Sequence, residues 1–159
     1  ASIICEAEMH ITEWGHCHAS PDELTTDDAV SITRAARELA HDRNVAAIAV
    51  FTQTGRTAEL MAKARPRVPI LGFTPEIRAY QRLGMIWGVV PFMVPYATTV
   101  ETMLEHVEMA IRNSTDIKPG QQFIMITGFP IGAMRLPNFA LLHTVGEAIY
   151  NPQIQGKSK

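Results

Sequence analysis

One stretch of the chain, AAIAVFTQTGRTAELMAKAR at residues 46–65, constrains the fold more than any other. It opens with an apolar run at 46–51 that does not alternate with polar residues, as is typical of a strand buried on both faces of a parallel sheet. Residues 58–64 are good helix formers. A polar hexapeptide therefore lies where a buried strand passes into a helix, and the pattern predicts an α/β protein.

The polar hexapeptide has the chemistry of an anion-binding turn. Its residues are Thr52, Gln53, Thr54, Gly55, Arg56 and Thr57. The unpaired N–H groups of a helix's first turn favour negative charge, and hydroxyls with a guanidinium would complete a phosphate cradle. The same residues would also serve as an ordinary helix cap, and both interpretations stay open at this point. Nucleotide hydrolysis does not follow, because the hexapeptide lacks the P-loop lysine and the spaced glycines of a dinucleotide-binding turn.

Composition narrows the range of partners. The chain has 159 residues with 14 basic and 16 acidic side chains and a formal net charge of −2, so neither nucleic acid nor an acidic membrane surface is an expected partner. No apolar run approaches the roughly 18 residues of a membrane span, and no signal-peptide pattern opens the chain. Two cysteines do not make a disulfide framework. We therefore expect a cytoplasmic, reducing environment.

The order of helices and strands predicts the fold class. The predicted elements are a helix from Thr25 or Thr26 to Arg43, strands at 46–51, 68–73, within 85–92, 122–127 and 138–145, and helices at 58–64, 76–83 and 98–113. Thr98 and Glu101 are predicted to form a capping box, with Met103 and Met109 packed in the core. Since no helix separates the last two strands, they are most simply antiparallel. The prediction is a three-layer α/β/α fold around a mixed five-stranded sheet, mostly parallel, with the last strand antiparallel.

The two ends of the chain carry separate expectations. Residues 1–25 are predicted to form a lead-in helix and a connector, and the start within a helical pattern suggests a fragment of a longer polypeptide. His16, Cys17 and His18 are metal-ligand types, but a structural site needs about four ligands and no second pair follows, so we expect no metal. Residues 147–159 are predicted to be a polar tail.

A second candidate loop follows the strand at 122–127. Residues 128–137 carry glycine and proline without a regular pattern. In open parallel sheets, ligands bind beyond the carboxyl ends of the strands. The loops at 52–57 and 128–135 both follow strands and would open on the same edge of the sheet. This convergence favours a ligand site over a simple helix cap.

With these motifs in order, the chain resembles the carboxy-terminal domain of pyruvate kinases. TQTGRT at 52–57 is similar to that family's Thr-x-Ser/Thr-Gly-Arg-Thr/Ser loop, and RPRVPI at 65–70 is similar to its Arg-Pro-x-x-Pro-Ile run. LGMIWGVVP at 83–91, Thr127-Gly128 and Asn138 also match in order and spacing. The resemblance covers about residues 1–146, which we take as one domain.

The resemblance implies a regulatory role. Pyruvate kinases transfer a phosphoryl group from phosphoenolpyruvate to ADP in glycolysis, with a barrel domain that supplies a lysine, magnesium ligands and a potassium site. None of those barrel motifs is present here, so we expect no catalytic residue and no cofactor in this domain; magnesium and potassium would belong to the parent's barrel. In the family this domain packs against its own barrel and within a homotetramer, and in many members it binds a phosphorylated allosteric effector.

Carried over residue by residue, the resemblance implies that residues 52–57 hold the effector phosphate and that 128–135 close over it. The second loop's candidate contacts are Gly128, Phe129, Pro130, Ile131, Gly132 and Arg135. Bisphosphate-responsive members place a tryptophan and an arginine near the helix before the fourth strand, but residues 96–113 contain no tryptophan and only Arg112. We therefore expect a monophosphate such as a sugar monophosphate or AMP, with a bisphosphate as the alternative.

Two other functional classes fit the sequence. The first is a structural oligomerisation module with a vestigial effector site. The second is a free-standing protein that binds a phosphorylated small molecule. The remaining histidines show no metal spacing and are expected at surface or packed positions.

Overall fold

The computed structural model of the chain describes residues 27–147. The helices and strands, in chain order, are α1 (Asp28–Arg43), β1 (Ala47–Phe51), α2 (Arg56–Ala64), β2 (Ile70–Thr74), α3 (Ile77–Leu83), β3 (Val89–Met93), α4 (Val100–Ser114), β4 (Gln122–Thr127) and β5 (Phe139–Thr144). Within this part of the chain, no helix is both long and apolar enough to span a membrane.

The strands form one mixed sheet in the order β3-β2-β1-β4-β5. The β1–β2, β2–β3 and β1–β4 pairs are parallel, whereas β4 and β5 are antiparallel, with Gln122 opposite Thr144. Pro91 lies in the edge strand β3. Proline has no N–H to donate, and on the open side of an edge strand there is no neighbouring strand that would accept one. The sheet confirms the predicted α/β fold with four parallel strands and an antiparallel fifth.

Helices cover both faces of the sheet and create two core layers. Every residue of β1 is buried, and successive side chains alternate between the layers. One layer packs α4 against the sheet, and its members include Phe51, Phe73, Met103, Val107, Ile111, Phe123 and Met125. The other packs α1 and α2 against it, with Ala36, Ala40, Ile48, Val50, Met61, Ile124 and Ile126. Burial on both sides explains why the central strands are continuous apolar runs.

The helix starts differ from prediction by one to three residues. Helix α1 begins at Asp28, and its N-cap is Asp27, whose Oδ1 accepts a hydrogen bond from the Ala29 N–H at 2.9 Å. The predicted starts, Thr25 and Thr26, lie outside the described residues. Asp is as good an N-cap as Thr, so three neighbouring cap formers leave the start ambiguous in the sequence.

The predicted capping box at Thr98 is wrong by one residue. Thr99 is the N-cap of α4, with an extended backbone and an Oγ1 that accepts from the Thr102 N–H at 3.2 Å. The placement of Met109 is also wrong, since its side chain is 62% exposed while Met103 is fully buried. Met109 falls outside the stripe that Met103, Val107 and Ile111 turn toward the sheet.

A half-buried carboxylate joins the edge strand β5 to α4. Glu108 Oε2 lies 2.9 Å from His143 Nε2, and its Oε1 accepts from the Gly146 N–H at 3.0 Å. Phe123 packs edge-on against the His143 ring. These contacts position the end of β5 and the turn after it on the helix, and they account for His143 as a packed residue.

Candidate functional site

Two loops meet at one edge of the sheet. Because β1 and β4 are parallel neighbours, the residues after Phe51 and after Thr127 leave the sheet side by side. A cleft lies between them, with a cavity volume of about 30 Å³. Since one water needs about 10–15 Å³ of such volume, the cleft has room for one small group such as a phosphoryl. It is lined by Phe51, Thr52, Gln53, Thr54, Thr57, Thr127, Gly128, Ile131, Gly132, Met134 and Arg135.

The loop after β1 is ordered by its own hydroxyls. Thr52 is 6% exposed, and its Oγ1 accepts a hydrogen bond from the Gly55 N–H at 3.0 Å. Gly55 is the N-cap of α2 with φ 85°, a left-handed conformation that favours glycine. Gly55 has no side chain to cap α2, and the Arg56 N–H donates to Thr54 Oγ1 at 3.4 Å, which leaves the Thr57 and Ala58 N–H groups as the first-turn donors for a ligand. Thr57 adds a buried hydroxyl residue to the same wall.

The loop after β4 is closed at its base by Asn138. Its Oδ1 accepts from the Phe129 N–H at 2.6 Å, and its Nδ2 donates to the Phe129 carbonyl at 2.9 Å. Its own N–H donates to the Thr127 carbonyl at 3.2 Å. Gly128 meanwhile lies directly against the backbone of Arg135. These contacts hold the two ends of the loop together and bring Arg135 to the cleft.

Most of the predicted site residues line this cleft, and four do not. Gly55 lies in the turn itself, where its N–H donates to Thr52 Oγ1. The exposed Phe129 lies near Phe139, with ring centroids 6.3 Å apart. Pro130 follows Phe129 through a cis peptide bond. The Arg56 guanidinium lies 3.2 Å from Glu59 Oε2. The arginine that lines the cleft is therefore Arg135, while Arg56 is held on the outer face of α2.

Charge on α2 explains how Arg56 is held. The hydrogen bond from Lys63 and its positive charge lower the pKa of the Glu59 carboxyl, and Arg56 adds to the effect. Glu59 is therefore ionised at neutral pH and pairs with both cations, with Lys63 Nζ at 3.1 Å. The sign of the shift means that this pairing weakens only as the pH falls through the lowered pKa. Arg135 makes no ion pair with any residue in the 27–147 region.

Sequence reasoning missed several residues around the cleft. Phe51 and Thr127 end their strands at the cleft, and Met134 reaches it from the second loop. Arg82, at the end of α3, donates from Nη1 to the Thr54 carbonyl at 3.2 Å. The strand-end position marks Phe51 and Thr127 in the sequence, but nothing local marks Arg82, which lies 28 residues from its partner.

The described residues hold no cluster of three or more His, Cys, Asp or Glu side chains arranged for a metal ion. His16, Cys17 and His18 lie outside this region. The chemistry on the cleft walls is that of hydroxyls, backbone N–H groups and one guanidinium. Groups of these kinds favour an oxyanion over a cation.

Comparison with known proteins covers most of the described residues. A family described as "Pyruvate kinase, alpha/beta domain" matches residues 30–143. The chain is 32% identical over 128 residues to a pyruvate kinase of Agrobacterium vitis, covering 80% of this chain and 27% of that protein. It is 31% identical over 118 residues to that of Mycobacterium intracellulare, covering 73% and 25%. It is also 30% identical over 140 residues to that of Geobacillus stearothermophilus, covering 85% and 24%.

The matched region includes all nine described helices and strands apart from the first residues of α1 and the last of β5. The chain spans about a quarter of the length of the curated relatives that it matches. On this sequence match and this fold, the chain belongs to the pyruvate kinase alpha/beta domain family.

Proposed function

We propose that this chain is a regulatory carboxy-terminal domain of a pyruvate kinase and that it binds a phosphorylated effector, a monophosphate, between the 52–57 and 128–135 loops. The observation that carries the proposal is the convergence of both loops on one small cleft. In the parent enzyme, the transfer from phosphoenolpyruvate to ADP, with its magnesium and potassium, would belong to a separate barrel in the cytoplasm.

The size and the lining residues of the cleft favour a ligand with a single phosphoryl group. The cleft is lined by the hydroxyl residues Thr52, Thr54 and Thr57, the last of them in the first turn of α2, and by one cation, Arg135. Charge-assisted hydrogen bonds to an oxyanion are roughly twice as strong as neutral ones. A cavity of about 30 Å³ leaves the remainder of a sugar phosphate or nucleotide outside, toward solvent. A bisphosphate would need a second cluster of donors, which is why the monophosphate is preferred.

Effector binding would be linked to regulation through the second loop. An effector activates only by binding the active state more tightly than the inactive one, typically by about 1–3 kcal/mol. The 128–137 loop presents Phe129, Met134 and Leu136 to solvent, with exposures of 48%, 75% and 51%. Apolar side chains on a loop that also touches the ligand suit a contact with a neighbouring subunit of a tetramer.

Replacing Arg135 tests the cleft directly. Arg135→Ala is expected to weaken binding of ribose 5-phosphate about tenfold, because it removes the one guanidinium on the cleft wall. Calorimetric titration of ribose 5-phosphate, glucose 6-phosphate, AMP and fructose 1,6-bisphosphate would measure the affinity and the ligand class.

The matched control is Arg67→Ala, an exposed arginine that precedes β2 and so lies at the opposite end of the strands. It should bind like the unchanged chain. Equal affinities for all three proteins would remove Arg135 from the site, and tighter binding of the bisphosphate than of every monophosphate would overturn the preference for one phosphate.

Breaking the ion pair between Arg56 and Glu59 tests whether Arg56 can also bind the ligand. Glu59→Gln removes the carboxylate that holds Arg56, so we expect affinity for ribose 5-phosphate to rise by up to about fivefold, the scale of a surface ion pair. Lys63→Gln is the control, since it breaks the other contact of Glu59 and leaves Arg56 paired. An unchanged affinity in Glu59→Gln would mean that Arg56 stays outside the site.

A structural oligomerisation module is the second candidate. It is favoured by exposed apolar residues between α3 and β3 and on β3 itself, where Met85 is 89% exposed, Trp87 47% and Val90 46%. Sedimentation of the chain over a range of concentrations distinguishes the two. Strong self-association without binding of any phosphorylated ligand would favour the module.

A further inference from the structure

The peptide group between Thr54 and Gly55 is held at both ends. Its carbonyl oxygen accepts from Arg82 Nη1 at 3.2 Å, and its N–H donates to Thr52 Oγ1 at 3.0 Å. Thr52 lines the cleft, whereas Arg82 does not. The carbonyl therefore points toward α3 and away from the place where an anion would bind.

The backbone of Arg82 is fixed at the end of α3. Its backbone carbonyl accepts from the Met85 N–H at 3.0 Å at the end of α3. The next residue, Leu83, is fully buried under Gly72. The aliphatic stem of Arg82 covers Gly55, and a Cβ built on Gly55 would lie 3.4 Å from Arg82 Cδ. The end of α3 thus places the Arg82 side chain over the loop.

The hydrogen bond from Arg82 restricts rotation of the Thr54–Gly55 peptide group. Gly55 supplies the left-handed conformation that the turn requires, but a glycine also lets the adjoining peptide group rotate at little cost. A rotated peptide would turn the Thr54 carbonyl oxygen toward the cleft, and its partial negative charge would repel a phosphate. A guanidinium donates without accepting, so it selects the orientation with the oxygen turned away.

We infer that Arg82 is a positioning residue for the anion site: it fixes the orientation of the Thr54–Gly55 peptide so that the donors of the 52–57 loop face the ligand. The role also connects ligand binding to α3, an element with no residue in the cleft wall. The inference rests on the proposed function, because it concerns the same phosphate cleft.

The test uses the full chain, inorganic phosphate and ribose 5-phosphate as probes, and three variants. Arg82→Met keeps the stem over Gly55 and removes the donor, so we expect affinity for both probes to fall about fivefold, the effect of one net hydrogen bond. Arg82→Lys retains a cationic donor and should restore part of the loss. Arg78→Met, an exposed arginine on the same helix, is the control and should leave affinity unchanged.

Two further readouts separate positioning from general stability. The Gly55 amide should exchange with solvent faster in Arg82→Met than in the unchanged chain, while the melting temperature stays the same, because Arg82 is exposed. If melting temperature and affinity fell together in Arg82→Met, or if its affinity equalled that of the unchanged chain, Arg82 would not be a positioning residue. The proposed function would not be affected by either result. No binding of either probe by the unchanged chain would overturn the proposed function, and with it this role.

Discussion

Replacing Phe73 with alanine is expected to lower the free energy of unfolding by about 3–5 kcal/mol. Phe73 is fully buried on β2, lies opposite Phe51 of β1 and stacks on Phe92 with ring centroids 5.1 Å apart. Its loss would open a cavity between the sheet and α4, where the two strands cannot collapse without breaking their ladder. Native domains have only about 5–15 kcal/mol of stability, so urea denaturation should show a large shift of the midpoint.

The control for Phe73 is an aromatic residue on the surface. Tyr96 is 60% exposed, and Tyr96→Ala should change stability by no more than about 0.5 kcal/mol. If the two substitutions had similar effects, Phe73 would not be part of a tightly packed layer.

Replacing Gly128 with alanine is expected to displace the 128–137 loop and abolish measurable phosphate binding. A Cβ at Gly128 would overlap the carbonyl oxygen of Arg135, and it would lie 3.2 Å from that of Leu136. Both obstacles are backbone atoms, so the loop must move, and overpacking of this kind costs about 1–3 kcal/mol. The measurements are urea denaturation and titration with ribose 5-phosphate.

Gly84→Ala is the matched control for Gly128→Ala. Gly84 has φ −64°, a conformation that any residue adopts, and the nearest atom to an added Cβ lies at 3.6 Å. The substitution should therefore be neutral or stabilise the chain by up to about 1 kcal/mol. Full phosphate affinity in Gly128→Ala would show that the close approach to Arg135 does not shape the site.

The layout of the sheet was predictable because local patterns carry it. Unbroken apolar runs identified β1 and β4, and the absence of a helix before β5 predicted its antiparallel pairing, which the structure confirms. The edge at which the two loops meet followed from the same logic. Cap positions were less predictable, since Thr98 and Thr99 have the same capping chemistry and only the packing of α4 decides between them.

The charges around the cleft were harder to predict. The place of Arg56 in the hexapeptide predicts a contact with the phosphate, yet Glu59, one helical turn further on, pairs with its guanidinium. That pairing is visible in the sequence. The contact of Arg82 with Thr54 is not, because it depends on the packing of α3 against β2 and β3 and on one hydrogen bond across 28 residues. Side-chain partners of this kind are determined by tertiary structure.

The parallel pairing of β1 with β4 has a consequence for the chain during its synthesis. Ala47 lies opposite Phe123, so the centre of the sheet joins segments that are far apart in sequence, whereas β1, β2 and β3 are connected through nearby helices. Strands that are far apart in sequence pair slowly, because bringing them together closes a long loop at a cost in chain entropy. A chain still emerging from the ribosome therefore carries the 52–57 loop well before β4 and the 128–137 loop arrive to complete the cleft.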